Sequence, residues 1–346
     1  MVRVFSATTE ALSTRPHAPG PWRLTLVTNP DDCNLAYDMC ERSAPRAEAP
    51  RRMDARLAER AVREAAACGA AEVIPSTLGE PLLWSGLDRI VEVCGELGLR
   101  LNVTTNGTFP GRGAAGWAER LVPVASDVKL SWNGATAATA GAVMGGLDLD
   151  AALESVRAFV AVRDALARPG RRCRVSFQVT AQEANVAELA DIVRLAASLG
   201  VERVKVNQLQ VRFPRLAARS LRRSAGSIRR WNEAVLAAHA AADAHRLASG
   251  ERVLLENVVP LAEDPSAPAP AGPCRFVGRE AWIWPDGRFS PCPNPAAERG
   301  ELGEFGSLAD RTFGEIWNGE RVRELVAGWE QHPVCRGCPF RRVGGA

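Results

Sequence analysis

The amino-acid sequence predicts an α/β fold, a partial (β/α)6 TIM-type barrel followed by a small C-terminal cysteine-rich module. Short β-rich runs alternate with amphipathic helical patterns from Trp22 onward, as they do in repeated βα units. The alternation stops after Gln210, and four of the nine cysteines lie beyond residue 273. A doubly wound open sheet has the same periodicity, so the sequence leaves both topologies open.

Six segments are predicted strands, because apolar and β-branched residues recur in short runs bounded by turn residues. They are residues 23–28, 72–75, 100–104, 127–131, 174–180 and 203–208. Helical periodicity is found at 54–68, 83–97, 150–165 and 227–245. One more helix is predicted with Asn185 as its N-cap, Glu188 completing a capping box, and Gly200 as its stop signal.

Four regions are expected along the chain. They are an N-terminal extension over 1–20, the barrel over 21–245, a connector over 246–273 that ends in a Pro/Ala-rich stretch, and an auxiliary module over 274–346. Within the module, residues 281–284 and 288–290 are predicted to form a hairpin across the turn at 285–287.

Composition excludes several classes of protein. Of the 346 residues, 46% are hydrophobic, which is enough for a large core, and the net charge is only +3. That small charge argues against nucleic acid as a partner, and no apolar run approaches the roughly 18 residues of a membrane span. The first 20 residues lack the apolar core of a signal peptide. We therefore expect a cytoplasmic protein whose thiols stay reduced.

Four cysteines near the C-terminus have the spacing of a metal site. Cys274 and Cys292 bracket Gly287 as C-x12-G-x4-C, and Cys335 and Cys338 form C-x2-C. In a reducing compartment such thiolates are metal ligands rather than disulfide partners. Tetrahedral thiolate sites hold zinc and iron–sulfur clusters alike, so the spacing predicts a metal centre without naming the metal.

The segment directly after the first predicted strand, C-N-L-A-Y-D-M-C at 33–40, resembles the cluster-binding loop of radical S-adenosylmethionine enzymes. In that family the loop reads C-x3-C-x2-C. The resemblance implies a [4Fe–4S] cluster that binds S-adenosylmethionine and cleaves it reductively to a 5′-deoxyadenosyl radical. Cys33 and Cys40 keep the two outer ligand positions, whereas Tyr37 stands at the middle one. Beside it, the carboxylate of Asp38 is a chemically possible oxygen ligand.

Other motifs of the same family recur at the ends of the following predicted strands, where a βα barrel has its active site. They are G-E-P at 79–81, T-N-G at 105–107 and S-W-N-G at 131–134. The resemblance implies that the first segment binds the amino group of S-adenosylmethionine and the last its ribose. The cofactor-binding residues that it implies are Gly79, Glu80, Pro81, Thr105, Asn106, Ser131 and Gln178.

The C-terminal module resembles the SPASM and twitch extensions of this family. No cysteine follows Cys338, which matches the shorter twitch pattern with one auxiliary [4Fe–4S] cluster. The ligands that the resemblance implies are Cys274, Cys292, Cys335 and Cys338.

The resemblance implies a radical S-adenosylmethionine enzyme that abstracts hydrogen from a small molecule or a peptide, with flavodoxin or ferredoxin as electron donor. The family's peptide-modifying members often carry a leader-binding domain, and the roughly 20 residues before the first strand are too few for one, which favours a small molecule or a free-standing modification. The alternative is a degenerate, non-catalytic relative with a structural tail cluster or zinc, which binds a ligand or a partner. Tyr37 is the feature that discriminates between the two.

Overall fold

The computed structural model describes residues 20–40, 50–76, 78–168, 170, 172–262 and 272–341. The predicted N-terminal extension lies outside these residues except for Gly20, and so does the 263–271 part of the predicted connector. Among the described residues, no helix is both long and apolar enough to cross a membrane.

A single sheet runs through the described structure, and its first seven strands follow chain order. The strands are β1 (Arg23–Leu26), β2 (Glu72–Ile74), β3 (Arg100–Thr105), β4 (Ala125–Ser131), β5 (Arg174–Ala181), β6 (Arg203–Gln208), β7 (Leu254–Glu256), β8 (Glu280–Ile283) and β9 (Phe289–Ser290). Their spatial order is β7-β6-β5-β4-β3-β2-β1-β8-β9, parallel except for β8 with β9. A doubly wound sheet reverses strand order at a switch point, and this sheet does not, which confirms the partial barrel.

Helices connect the successive strands, and the predicted helices at 54–68, 83–97, 150–165 and 227–245 are confirmed within a few residues. The α-helices are α1 (Ala55–Ala67), α2 (Leu87–Glu96), α3 (Gly113–Leu121), α4 (Ala137–Met144), α5 (Leu149–Ala165), α6 (Leu189–Ser198), α7 (Ala225–Ala244), α8 (Pro295–Glu298), α9 (Phe313–Trp317), α10 (Glu320–Gly328) and α11 (Pro333–Arg336). Single 3-10 turns lie at Pro81–Leu83, Val186–Glu188, Pro214–Arg219 and Pro339–Arg341.

The capping box predicted at the start of α6 is wrong. Asn185 is the N-cap residue of the 3-10 turn that leads into α6, but its side chain makes no capping hydrogen bond, and its amide donates instead to the carbonyl of Asn133, at 3.1 Å, in the loop after β4. Glu188 accepts a hydrogen bond from the hydroxyl of Thr139, at 2.6 Å, in the first turn of α4. The loops after β4 and β5 meet at the same edge of the sheet, so each supplies polar groups to the other. Gly200, with φ of +73°, does end the helix as predicted.

The auxiliary module adds two strands to the barrel sheet. The predicted hairpin is confirmed as β8 and β9. No pattern in the sequence indicates that β8 also pairs with β1 in parallel. Arg23 on β1 lies between the buried carboxylates of Glu72 on β2 and Glu280 on β8, at 2.6 and 2.7 Å. Because an arginine fork satisfies both carboxylates at once, this contact stabilises the junction of barrel and module.

A charged layer lines the interior of the barrel. Asp127 forms an ion pair with Arg203, and Glu256 accepts from Arg203 at 2.9 Å and from Lys205 at 3.0 Å. Lys129 on β4 is buried beside them, and burial lowers the pKa of its amine to about 8. Lys129 and Lys205 are the only lysines in the whole chain. The side chains on the opposite face of the strands, such as Val175, Phe177 and Val179 on β5, form the hydrophobic core.

Candidate functional site at the barrel mouth and in the auxiliary module

The loop at 33–40 is pressed against the end of α4 by backbone contacts. The amide of Ala36 donates to the carbonyl of Gly145 at 3.2 Å, and that of Asp38 donates to Val143 at 3.0 Å. Gly145 has φ of +46°, and a Cβ at that position would lie 2.0 Å from the carbonyl oxygen of Ala36. Only glycine fits there, so the end of α4 determines where the loop lies.

Cys33 and Cys40 are both half-buried in this loop. Burial raises the pKa of the Cys33 thiol above its ordinary value, and the nearby carboxylate of Glu80 acts in the same direction. The side-chain amide of Asn106 lies 3.8 Å from the sulfur of Cys33. The structure thus places one predicted cofactor-binding residue directly beside one predicted cluster ligand.

Tyr37 lies between the two cysteines with its hydroxyl buried. The phenol lies close to Ser131, the residue that the resemblance assigns to the ribose. Burial raises the pKa of Tyr37 well above its usual value, so the group in this environment is a neutral phenol. Two thiols and a neutral phenol do not supply the three thiolates that hold a [4Fe–4S] cluster in this type of loop.

Asp38 does not offer a ready replacement for the missing thiolate. Its carboxylate forms an ion pair with Arg219 at 2.6 Å and accepts from the side-chain amide of Gln182 at 3.1 Å. An oxygen ligand would have to give up both partners. A second arginine holds the end of the loop, because the guanidinium of Arg215 donates to the carbonyl of Cys40 at 2.9 Å.

Glu80 connects the ends of β2 and β3. Its carboxylate accepts from the amides of Leu82 and Asn106, at 3.1 and 2.7 Å, and from the hydroxyl of Thr105, at 2.7 Å. The residue is 1% exposed, and burial raises its pKa to about 7 although all three donors favour the ionised form. The carboxylate is therefore used to position the neighbouring backbone. Its contact with the amino group of S-adenosylmethionine stays a prediction.

The remaining residues predicted to bind the cofactor lie at the carboxyl edge of the sheet. Gly79 and Pro81 flank Glu80, and Pro81 begins a 3-10 turn. Gly79 has φ of +74°, and a Cβ there would lie 2.0 Å from the carbonyl oxygen of Asn29. Ser131 ends β4 and pairs with Gln178 on β5. The topology thus brings the predicted residues of β2, β3, β4 and β5 to one edge.

Sequence reasoning missed three amides that hold this edge together. Asn29, after β1, donates to the carbonyl of Glu80 at 2.7 Å. Asn34 accepts from the amide of Asn106 at 2.8 Å, and Gln182, after β5, donates to Asp38. The available signal was weak. Each is a polar residue within a few positions of the carboxyl end of a strand, which is also ordinary loop composition.

The four tail cysteines lie within electrostatic range of one another. Burial, with a smaller contribution from the neighbouring Cys274, Cys338 and Cys335, raises the pKa of the Cys292 thiol to about 12. Burial likewise raises the pKa of Cys335 to about 11. Thiolates in such a cluster repel one another, and a cation held among them removes that cost.

Hydrogen bonds of the kind that support metal thiolates surround this set. The backbone amides of Phe276 and Val277 point at the sulfur of Cys274, at 3.5 and 3.4 Å, and the side-chain amide of Asn294 donates to Cys338 at 3.5 Å. In the described part of the chain, no three Cys, His, Asp or Glu side chains stand close enough to hold one ion. A [4Fe–4S] cluster puts each thiolate on a separate iron and does not require that closeness, so the donor set fits it.

Three other cysteines lie away from both sets. Cys94 and Cys173 are buried in the hydrophobic core, and Cys68 packs at its edge. They behave as small apolar residues.

Comparison with known proteins identifies the auxiliary module and finds relatives of nearly the whole chain. The SPASM family, an iron–sulfur cluster-binding domain, matches residues 274–339. A PqqA peptide cyclase of Xanthomonas campestris pv. campestris (strain 8004) is 26% identical over 315 residues, 90% of this chain and 77% of that protein. A PqqA peptide cyclase of Methylorubrum extorquens (strain PA1) is 29% identical over 339 residues, 94% of this chain and 82% of that protein.

Solved structures share the fold. SuiB of Streptococcus suis bound to S-adenosylmethionine matches with a TM-score of 0.64 at 18% identity, over 88% of this chain and 67% of SuiB. SuiB bound to its precursor peptide SuiA matches with a TM-score of 0.63 at 18% identity, over 88% of this chain and 66% of SuiB. This chain therefore spans about two thirds of the length of SuiB. The protein anSMEcpe with bound S-adenosylmethionine matches with a TM-score of 0.62 at 16% identity. The match covers 94% of this chain and 89% of anSMEcpe. Residues 274–339 therefore match an iron–sulfur cluster-binding SPASM domain, the fold is shared with SuiB and anSMEcpe, and nearly the whole chain is similar to PqqA peptide cyclases.

Proposed function

We propose that this chain is a radical S-adenosylmethionine enzyme that modifies a peptide. The two curated relatives are named PqqA peptide cyclases, and SuiB has been crystallised with a precursor peptide. These relatives favour a peptide over the small molecule that the short N-terminal segment suggested. The nine cysteines form no disulfide, which suits a reducing compartment, and we propose a cytoplasmic location.

The observation that carries this proposal is the hydrogen-bonded frame at the barrel mouth. Glu80 links the ends of β2 and β3, Asn29 links β1 to the segment at 79–81, and Asn106 reaches the loop through Asn34. Such a frame keeps polar backbone groups in fixed positions, as binding of a charged cofactor requires. The residues proposed to bind S-adenosylmethionine are Gly79, Glu80, Pro81, Thr105, Asn106, Ser131 and Gln178.

In the auxiliary module, the proposed ligands of one [4Fe–4S] cluster are Cys274, Cys292, Cys335 and Cys338. When bound, such a cluster supplies one-electron transfer, and we propose a flavodoxin or a ferredoxin as the external donor. The chain itself buries Cys292 and Cys335 and directs amide hydrogens at Cys274 and Cys338. These features favour the charged cluster and shield it from water. The division into barrel (21–245), connector (246–273) and module (274–346) is retained as part of this proposal, although β7 of the connector extends the barrel sheet by pairing with β6.

Tyr37 favours a second candidate function. Cys33 and Cys40 are the remaining thiols and a buried phenol near Ser131 stands between them, so the loop lacks one thiolate of its family pattern. A chain of this kind binds S-adenosylmethionine and a peptide without cleaving the cofactor. This candidate differs from the first in cleavage alone, so one measurement separates them.

The measurement is the yield of 5′-deoxyadenosine from S-adenosylmethionine under dithionite, after anoxic reconstitution with iron and sulfide. The wild-type protein is compared with Tyr37→Cys, and Tyr37→Phe is the matched control. Tyr37→Phe removes the phenol hydroxyl near Ser131 without adding a thiolate, so we expect its yield of 5′-deoxyadenosine to equal that of the wild type. Tyr37→Cys restores the third ligand and is expected to raise the yield well above both.

Three outcomes decide between the candidates. Cleavage by the wild-type protein at the level of Tyr37→Cys would support the enzyme and would make Tyr37 or another residue a working ligand. Cleavage restricted to Tyr37→Cys would support the second candidate for the natural chain. If calorimetry finds no binding of S-adenosylmethionine to any of the three proteins, both candidates fail.

A further inference from the structure

A basic cleft opens between the carboxyl end of β6 and the auxiliary module, outside the residues assigned above. Its volume is about 580 Å³, the size of a small-ligand pocket. Four arginines line it: Arg212, Arg222, Arg223 and Arg299. Among the described residues that line the cleft, none is an aspartate or a glutamate.

Two of these arginines are paired with carboxylates that do not line the cleft. Arg223 is ion-paired with Glu183 at 2.9 Å, and Arg299 with Glu301 at 2.5 Å, and neither glutamate lines the cleft. These pairs orient the guanidinium groups while leaving their side chains about half exposed, at 45% and 61%. The wall of the cleft therefore presents positive charge and donor hydrogens to whatever enters it.

The side chain of Gln208 gives a second, independent indication that the cleft binds a ligand with a hydrogen-bond acceptor. The residue ends β6, lines the cleft and is only 8% exposed. Its side-chain oxygen accepts from Nε of Arg222 at 2.9 Å, which fixes the orientation of the amide. The amide nitrogen, Nε2, is buried and has no hydrogen-bond partner in the described structure. Buried donors are almost always satisfied, so this one points to an oxygen-bearing ligand.

The cleft lies between the two proposed cofactor centres. On one side Asn294 lines it and donates to the sulfur of Cys338 at 3.5 Å. On the other side the 3-10 turn Pro214–Arg219 contributes Ala217 to its wall, and Arg219 of the same turn holds Asp38. A chain segment bound in the cleft is thus placed beside both the loop and the tail cysteines.

We propose that this cleft binds an acidic segment of the peptide substrate, through Asp or Glu carboxylates held by its arginines and by Nε2 of Gln208. The inference rests on the proposed function, because it assumes a peptide substrate. The volume suits a short extended segment rather than a folded partner. The parallel N–H groups of an arginine guanidinium and the N–H groups of an amide can donate hydrogen bonds to the two oxygens of a planar carboxylate.

The test measures binding of a fluorescein-labelled peptide of alternating glutamate and alanine by fluorescence anisotropy. A peptide with glutamine in place of glutamate is the ligand control. We expect the acidic peptide to bind at least about 10-fold more tightly than the neutral one, and this preference to shrink at high salt. Arg299→Glu is expected to weaken binding by about 10-fold or more, since it reverses a charge on the wall.

Arg194→Glu is the matched protein control. Arg194 lies on α6, outside the cleft, is 47% exposed and pairs with the nearby Asp191, much as Arg299 pairs with Glu301. The substitution Arg194→Glu changes the net charge by the same amount as Arg299→Glu, and we expect it to leave the Kd for the acidic peptide within about two-fold of the wild-type value. A second variant, Gln208→Glu, keeps the acceptor for Arg222 but replaces the donor by a carboxylate. We expect it to lose the acidic peptide without a lower melting temperature.

Equal binding of the acidic and neutral peptides would overturn the proposal, as would equal loss in Arg194→Glu and Arg299→Glu. Equally tight binding of a single-stranded oligonucleotide would show a general polyanion site and would also overturn it. The peptide assay needs neither S-adenosylmethionine nor the loop cluster. If peptide binding fails while calorimetry still detects the cofactor, only the cleft assignment is wrong. If the cofactor fails to bind while the acidic peptide binds, only the proposed function is wrong.

Discussion

Replacing Lys129 by methionine is expected to stabilise the protein at neutral pH. Lys129 is 9% exposed, and burial lowers the pKa of its amine from 10.5 to about 8. The cations of Lys205, Arg203 and Arg23 act in the same direction, and only Asp127 opposes them. The unfolded chain therefore binds this proton more tightly than the folded chain does. Keeping Lys129 charged inside the barrel lowers the free energy of unfolding.

The size and pH range of the effect follow from that pKa. At about 1.36 kcal/mol per pKa unit, the penalty on charged Lys129 amounts to at most about 3 kcal/mol. Below pH 8 both states are protonated and the full penalty is present. Between about pH 8 and about pH 10.5 the folded protein releases the proton first, and the penalty declines. Lys129→Met is thus expected to gain up to about 3 kcal/mol at pH 7 and progressively less by pH 9.5.

The presence of only two lysines makes the assay direct. In protein labelled with ¹³C-lysine, the two side-chain resonances can be titrated individually, and Lys205→Met assigns them. Urea unfolding at pH 7 and pH 9.5 then gives the stability of each variant. Lys205 is the control, because it is ion-paired with Glu256 at 3.0 Å, and its loss is expected to destabilise the fold.

Two results would refute this reasoning. One is titration of Lys129 near pH 10, as in an exposed lysine. The other is a Lys129→Met protein that is less stable than wild type at pH 7.

Two further substitutions test the cluster module and the loop. Cys335→Ala is expected to reduce bound iron and sulfide by the content of one cluster. It is also expected to lower the melting temperature, because cluster binding supplies folding energy to a module of this size. Zinc without sulfide in the wild-type protein would contradict the assignment of an iron–sulfur cluster. Gly145→Ala, whose Cβ would meet the carbonyl of Ala36 at 2.0 Å, is expected to cost about 1–3 kcal/mol and to weaken S-adenosylmethionine binding. Gly146→Ala is the control, because Gly146 also has a positive φ, of +92°, but a Cβ there would lie in open space. Equal affinity of the two variants for S-adenosylmethionine would show that the end of α4 does not position the loop.

Much of the fold and of the site was predictable because the relevant signals are local. Alternating apolar residues and turn residues predicted β1 to β6 but not the short β7, and glycine at position 200 predicted the end of α6. The cysteine spacing predicted the auxiliary centre, and polar motifs after successive strands predicted one shared edge, because parallel strands must end together. These patterns depend on the residues of one element at a time.

Other features depend on residues far apart in the chain, and the sequence carried no signal for them. The pairing of β8 with β1 requires Arg23 to meet Glu280, and the use of Glu188 at the start of α4 requires two loops to meet. Tyr37 was visible in the sequence as a missing thiolate, but only the tertiary structure brings its hydroxyl to Ser131. Local patterning determined which elements form, whereas long-range packing and hydrogen bonding decided which side chains meet.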